Sequence, residues 1–500
     1  MDGLNAFLDT LDGFIWGPFL LIPLLLGAGL YLTVRLGGLQ FFKLGAALRL
    51  GLFQRHDVGS EGDISQYQAL TTALAATVGT GNIVGVATAI AIGGPGALFW
   101  MWMTGLLGMA TKYSEAFLAV RFRGTDEAGE KSGGPQYYLE RGIKGPIGKV
   151  LGISFAIFTV IACFGIGNMT QANAIAANVE ASWSVPIWLT GVILTVLTLA
   201  VLVGGIKSIG RVTAALVPVM IVFYVAAGLF VLLLNIGEVP GALMRVFTEA
   251  FTGTSAVGGF TGSAIIMVIQ FGVARGLFSN ESGLGSAAMA AAAAQTSHPV
   301  RQGLVSMTQT FIDTLIVVSF TGLVIITTGA WHEVDPATGQ QISAALMTGA
   351  AFAHGLGATW GPWVVTIALL LFAFSTLLGW SYYGERNVER LFGRRWVMPY
   401  RVLFSLIVYV GATAELTVVW TFSDIMNGLM ALPNLIGILA LSGLIVRETR
   451  HYLKHDRHLR ADAVAIEAFM AAEPGWEEWK AGNEVGSSRR GVVGGTRDDR

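Results

Sequence analysis

An all-α, polytopic membrane fold is predicted by three features of the sequence. These are its apolar composition, a series of hydrophobic stretches each long enough to cross a bilayer, and basic residues that collect in alternate loops. Hydrophobic residues make up 53% of the 500 positions and charged residues only 13%, with mean hydropathy +0.63. Soluble domains carry roughly 25% charged residues. A chain with about half that share has to turn most of its surface to lipid. The formal net charge of −1 gives no electrostatic footprint for a nucleic-acid partner. The single cysteine, Cys163, excludes an intrachain disulfide and reads as a small packing residue. Asp2, Asp9 and Asp12 precede the first apolar run, where a secretory signal would be basic, so that run is expected to stay as a spanning helix.

A helix needs roughly 20 apolar residues to span the hydrocarbon core. On that basis about eleven segments are predicted, near 14–34, 65–92, 96–120, 148–176, 186–205, 211–235, 262–294, 302–329, 362–383, 398–420 and 425–446. Arg and Lys gather after the first, third, fifth, seventh, ninth and eleventh segments, while the alternate loops hold only Arg245. Basic loops mark the cytoplasmic side. The expected orientation is therefore N-terminus outside and C-terminus inside, in a prokaryotic cytoplasmic membrane. Residues 38–53 (GLQFFKLGAALRLGLF) alternate apolar and basic positions, which fits an interfacial helix at the inner surface or a plain cytoplasmic loop. Residues 1–447 form the transmembrane domain in this reading. Residues 448–500 form a cytoplasmic tail, a short helix followed by a disordered end.

Two segments carry glycine clusters, TTALAATVGTGNIVGVATAIAIGG and IIMVIQFGVARGLFSNESGLGSAAMAAAAA. Glycine costs about 1 kcal/mol in a helix interior relative to alanine. Close helix packing explains many such clusters, and Gly81 and Gly85 have the GxxxG spacing. Here polar residues share the windows: Thr77, Thr80 and Asn82 in one, Ser279, Asn280, Glu281 and Ser282 in the other. Unwound backbone at membrane depth is tolerated where it lines a cavity or is buried in protein, so both are predicted as broken helices at a binding site. The breaks lie five segments apart. With segment 14–34 as an extra helix, 65–235 and 262–446 become two five-helix repeats, each opening on its broken helix. An odd number of spans per repeat makes them inverted, with the site between the breaks.

The segment GTGNIVGVATAIAIGGPGALFWMW, GNMTQANA at 167–174, FGVARGLFSNESGLGSA and GWSYYGER at 379–386 closely resemble the alanine or glycine:cation symporters. The resemblance covers nearly the whole chain except the tail. It implies a five-plus-five inverted-repeat fold with one extra N-terminal helix, and sodium-coupled uptake of alanine or glycine, with sodium as coupling ion and no cofactor. Thr80 and Gly81 would offer backbone N–H groups to the substrate carboxylate. Carbonyls around Phe271 to Gly276 would accept from the ammonium. The resemblance places Gln171 in the substrate site; the residues alone equally allow a helix–helix hydrogen bond. Trp380 would narrow the pocket to a small side chain, or be an interfacial belt tryptophan. Phe278 is a second wall candidate. By fold analogy one sodium ion would take the carbonyls of Ala75 and Val78 and the hydroxyls of Ser375 and Thr376. A second would lie near Thr77 and Asn82, although Asn82 also reads as a local cap.

Arg275 and Glu281 could serve proton coupling, a gate or structure. Lys112 and Glu115 are expected to snorkel to the interface, and Asp313 has no evident partner. The residues show no selectivity-ring signature of a channel, no HExxH and no GxSxG, so neither a channel nor an enzyme is expected. The alternative within transport is proton coupling through Glu281 or Asp313.

Overall fold

The computed structural model describes residues 2–17, 19–54, 57, 60–252, 261–334, 339, 341–414, 417–471, 476–477 and 479. The chain begins with α1 (Asp2–Ile15) and α2 (Leu21–Arg35), so the first predicted segment divides into a peripheral helix and a short span. Residues 39–53 are helical in short pieces, with Phe42 and Phe53 exposed, as an interfacial segment requires. The first broken helix is α3 (Gln66–Thr77) and α4 (Gly81–Gly93), bent by 54°. A reciprocal cap starts α3: Ser65 Oγ accepts from Gln68 N at 3.1 Å and Gln68 Oε1 from Ser65 N at 3.0 Å. There follow α5 (Gly96–Arg121), a hairpin of β1 (Gly124–Thr125) and β2 (Lys131–Ser132), and α6 (Pro135–Gly142). Then come α7 (Pro146–Trp183), α8 (Ile187–Leu202), α9 (Gly205–Leu234) and α10 (Val239–Thr252). The second broken helix is α11 (Thr261–Asn280) and α12 (Ala288–Ala292). The chain continues through α13 (Pro299–Thr328), α14 (Ala344–Leu356), α15 (Trp360–Phe392), α16 (Val397–Thr413) and α17 (Thr417–Ala440). It closes with α18 (Ser442–His455) and α19 (Ala463–Met470).

Among the described residues, six helices are long and apolar enough to cross a membrane on their own, and the bent α3–α4 pair makes seven. With α2, α5, α8 and the broken α11–α12, the predicted eleven segments are all present among the described residues. The helices α10 and α14, in stretches read as loops, are additional. The described end of the predicted tail is ordered into α18 and α19 with Trp476 and Trp479 buried; residues 480–500 lie outside the described residues.

The packing is that of an inverted repeat. The second, third and fourth members of the two halves meet as α5 with α13, α7 with α15 and α8 with α16. The crossed pairs α7 with α17 and α9 with α15 match as well, and each third helix carries a short leader, α6 on α7 and α14 on α15. These partners run antiparallel. The late α7 residue Ser182 meets the early α15 residue Thr366 at 2.7 Å, while Arg390 at the end of α15 pairs with Glu140 of α6. Trp102 near the start of α5 likewise donates to Ser319 late in α13 at 2.8 Å.

Candidate substrate and ion site

The first break frees backbone groups because α3 stops at Thr77 and the chain turns before α4. Gly79 N–H, which would otherwise serve Ala75 O, donates to Asn82 Oδ1 at 2.9 Å. Ala75 O instead accepts from two α15 hydroxyls, Ser375 at 3.2 Å and Thr376 at 3.1 Å, and Thr376 Oγ reaches Val78 O at 3.5 Å. Four hard oxygens thus surround one buried point. A Cβ on Gly79 would stand 2.5 Å from Thr376 Oγ, so only glycine lets the turn come this close. Thr80 N donates to Gln171 Oε1 at 3.4 Å, and Gln171 Nε2 donates to Thr80 Oγ at 3.1 Å and Ile166 O at 3.0 Å. Gln171 follows a π-helical turn, Gly165–Met169, whose extra residue shifts the phase of the helix, and the glutamine reaches the break. Gly81 lies against α11: a Cβ there would be 3.1 Å from Phe278 and 3.2 Å from Ser279 Cα.

The second break falls later than the glycines at 272 and 276 suggested. Helix α11 runs unbroken through Phe271 to Gly276, and its ladder ends with Glu281 N–H on Leu277 O at 2.9 Å. The carbonyls of 271–276 therefore belong to the helix and are not available to an ammonium. Gly276 abuts α5, where a Cβ would be 2.4 Å from Thr104 Oγ. The turn itself is made by Glu281, Gly283 and Gly285, all at positive φ. The N–H groups of Ser282 and Gly283 would serve Phe278 O and Ser279 O in a continuing helix. They go instead to Asn280 Oδ1 and Glu115 Oε1, both at 2.9 Å. Phe278 O and Ser279 O are thereby released from the ladder beside Gly81. Glu115 Oε1 also accepts from Gly285 N at 3.0 Å and Asn434 Nδ2 at 2.8 Å, and Lys112 Nζ donates to Glu281 O at 2.9 Å. Lys112 and Glu115 do not snorkel; they are wholly buried and hold the break.

A cavity of about 560 Å³ leads to these breaks from the face that carries α1. Thr80, Phe271, Ala274 and Phe278 line its depth, and Asp12, Arg275 and Asp424 its outer part. Arg275 and Asp424 approach to 3.9 Å, and Arg275 also covers the Phe278 ring. Burial first, then the neighbouring Asp424 carboxylate, pushes Asp12 up to about 7, with Arg275 opposing. Trp380, one turn beyond Thr376, is 2% exposed, packs its Cβ against Gly167 and sets its ring edge-on to Tyr383, so it is no belt residue. Beyond Trp380 the basic loops close the opposite face. Arg386 and Arg394 share Asp126 and Glu130, and Arg401 grips Glu385 through two bonds of 2.7 and 2.8 Å.

The profile of the sodium:alanine symporter family matches residues 1–465. The chain belongs to that family. Within it, the sodium/alanine symporter AgcS of Methanococcus maripaludis is 50% identical over 450 residues, covering 89% of this chain and 97% of AgcS. The probable sodium/glutamine symporter GlnT of Bacillus subtilis is 35% identical over 455 residues, covering 91% and 92%. The solved structure of MhsT in complex with L-phenylalanine superposes with a TM-score of 0.56 at 14% identity over 85% of this chain and 97% of MhsT, which is a likeness of fold. In this family member, then, the structure brings Ala75, Val78, Ser375 and Thr376 together, and Thr80 with Gln171. Phe278 lines the cavity, Trp380 is buried against Gly167 and is not among the residues lining the cavity, and Gly276 sits in a helix contact. Thr77 accepts from Gln309 Nε2 at 3.0 Å, and Asn82 donates to Asp313 Oδ1 at 2.7 Å. Residue-by-residue reading of the sequence had no role for Gly79 or Gln309.

Proposed function

We propose that the chain carries a small neutral amino acid, alanine or glycine, into the cell together with sodium by alternating access. The observation that carries this is the set of oxygens at the first break. Ala75 O, Val78 O, Ser375 Oγ and Thr376 Oγ meet directly beside the Thr80 N–H, so a sodium ion and a carboxylate fit side by side. Sodium favours hard oxygen ligands, and this set is neutral, so the ion brings its own positive charge toward the substrate carboxylate. The carboxylate would take the Thr80 and Gly81 N–H groups at the start of α4, where the helix dipole favours an anion. Gln171 holds the Thr80 N–H at only 3.4 Å, and a charge-assisted bond to a carboxylate is the stronger alternative. The ammonium finds the released carbonyls of Phe278 and Ser279. Phe278 in the cavity lining and the bulk of the buried Trp380 ring would leave room for a side chain of a hydrogen or a methyl group.

The test is alanine uptake into proteoliposomes with inward sodium, potassium and proton gradients in parallel. Uptake driven by sodium alone supports the proposal, and uptake driven by the pH gradient alone favours the proton-coupled alternative. Trp380→Ala is expected to admit larger amino acids; unchanged selectivity would remove Trp380 from the pocket.

A further inference from the structure

Two spans end side by side on the basic face. Helix α2 ends at Arg35, and α17 passes into α18 at Ser442. Tyr31 Oη and Ser442 Oγ are 3.2 Å apart, which ties the two ends together, and Arg35 donates to Tyr31 Oη at 2.8 Å. The interfacial stretch 39–53 follows α2 directly, with Phe41, Phe42 and Phe53 exposed. On α18, Arg447, Arg450 and Lys454 are spaced three and four residues apart, so they share one face, and all three are exposed. Arg457, exposed as well, follows just past the end of the helix.

The acidic residues of this segment are turned inward. Glu448 and Asp456 are buried, the first on Arg121 at 3.1 Å and the second 3.9 Å from Arg301. Two hydrogen bonds draw the cations together instead. Lys43 Nζ donates to Arg457 O at 2.7 Å, and Arg450 donates to Arg35 O at 3.1 Å. Both acceptors are backbone carbonyls, which orient a cation without neutralising it. Among the described residues Arg35, Lys43, Arg450, Lys454 and Arg457 form no ion pair. Partial burial first, then the nearby Arg457 guanidinium, lower the Lys43 pKa from its ordinary value, with Asp456 opposing. Like charges are thus gathered at the end of two spans with no counter-charge beside them.

We propose that this junction binds an anionic phospholipid of the leaflet on the basic face, with Lys43, Arg450 and Lys454 on its acidic headgroup and Phe41 and Phe42 beside its acyl chains. The ends of α2 and α17 set the charges at headgroup level, where basic side chains attract acidic lipids. The exposed aromatic rings next to Lys43 are suited to the same depth, where one side is apolar and the other wet. A soluble anion would satisfy the cations and leave these rings without a partner. The bound headgroup would relieve the repulsion between Lys43 and Arg457. It would also join α2, the interfacial stretch and α18, and so steady the C-terminal segment that α18 leads into. The site is independent of the sodium-coupled reading.

Native mass spectrometry of the full chain in detergent, titrated with phosphatidylglycerol or with phosphatidylcholine, tests this without any uptake assay. The wild type is expected to retain phosphatidylglycerol in preference to phosphatidylcholine. Each basic side chain near the headgroup is worth roughly fivefold in affinity, so Lys43→Gln/Arg450→Gln/Lys454→Gln is expected to weaken phosphatidylglycerol binding about a hundredfold. Phosphatidylcholine binding is expected to stay as it was. The single variant Lys454→Gln, at an exposed position, is expected to lose about fivefold, which keeps the test open if the triple variant folds poorly. Lys43→Arg/Lys454→Arg keeps the charge and is expected to keep the binding. Lys144→Gln/Lys149→Gln/Arg395→Gln removes three exposed basic side chains elsewhere on the chain and is expected to change nothing. Equal losses in the two glutamine triples would reduce the effect to general surface charge and overturn the site. Equal retention of the two lipids by the wild type would overturn it as well. Displacement of the lipid by millimolar inorganic phosphate would assign the cations to a soluble anion and overturn the lipid as occupant.

Discussion

Gly79 has less room for a side chain than Gly81 or Gly85 at the first break, because the hydroxyl that reaches the freed carbonyls stands 2.5 Å from where its Cβ would be. Gly79→Ala has to push Thr376 away from Ala75 O. Its expected effect is a rise of about tenfold or more in sodium half-saturation, the scale of one lost charge–dipole contact, read in the uptake assay with the Tm as control. Asp12, at the outer end of the cavity, titrates near 7. Above that pH it adds a negative charge beside the path, which attracts the cation; below it the charge is gone. Sodium half-saturation is therefore expected to fall by about threefold from pH 6 to pH 8, and Asp12→Asn is expected to flatten the dependence. A slope that survives the substitution assigns it to another group. At this scale the sequence singled out residues in or near recognisable runs, Thr80, Gln171, Ser375 and Thr376, and the structure brings Thr80 to Gln171 and both hydroxyls to Ala75 O. Gln309 had no role in that reading, and Asp313 was named only as an alternative proton carrier without a partner. Two polar residues four apart look alike on any helix, and only their meeting with Thr77, Asn82 and Ser279 across more than 200 residues of chain, or across the second break, gives them meaning.

The second broken helix shows what glycine alone can and cannot tell at the level of an element. Gly272 and Gly276 are four apart, and both are used for close packing: a Cβ on Gly272 would meet Ala97 O at 2.6 Å, and one on Gly276 would meet Thr104 Oγ. The helix breaks further on, where side chains from other elements take up its freed N–H groups. Glu115 of α5 accepts three donors with a single oxygen. Glu115→Ala leaves buried donors unpaired, at about 1–3 kcal/mol each. A clear drop in Tm with loss of uptake is expected, and Glu115→Gln, which keeps an acceptor oxygen, is expected to recover much of the Tm. Equal losses in both variants would mean that the charge, and not the acceptor, holds the break. The ordered C-terminal segment escaped the sequence reading for a related reason. Its composition is that of a solvated tail, yet Trp476 and Trp479 stack on each other at 4.7 Å, and Trp476 stacks on His298 at 5.6 Å. Two aromatic anchors are too few to alter a compositional signal and are enough to dock a short segment.

The molecule as a whole is open toward α1 and closed where its basic loops gather. Closure there has two layers. The inner layer is the Arg386–Asp126–Glu130–Arg394 cluster. The outer layer is the strand-like pairing of residues 63–64, which lead into α3, with 293–295, through Asp63 N on Ala293 O at 2.8 Å and Gln295 N on Ile64 O at 2.7 Å. Arg301 fastens this second layer: it donates to Asp57 Oδ1 at 2.7 Å and to Ala461 O at 2.7 Å in the C-terminal segment. In the proposed alternating-access cycle the start of α3 would leave α12 and α13, and the Arg301 contacts would then break in each cycle. Arg301→Ala is then expected to shift the population toward a state open on the basic face. The sole cysteine provides the readout. Cys163 is fully buried, with its Cβ 3.2 Å from where a Cβ on Gly384 would lie, one residue before the Glu385–Arg386 end of α15. Maleimide alkylation of Cys163 in detergent is expected to run about tenfold faster in Arg301→Ala than in the wild type, a population shift of about 1.4 kcal/mol. Sodium is expected to slow it in both, because an ion at the proposed site would tie α3 to α15. Chain truncation after His455 removes the Ala461 contact and should act in the same direction. Unchanged alkylation in both variants would show that the charged cluster around Arg386, and not the Arg301 tie, sets the barrier to opening.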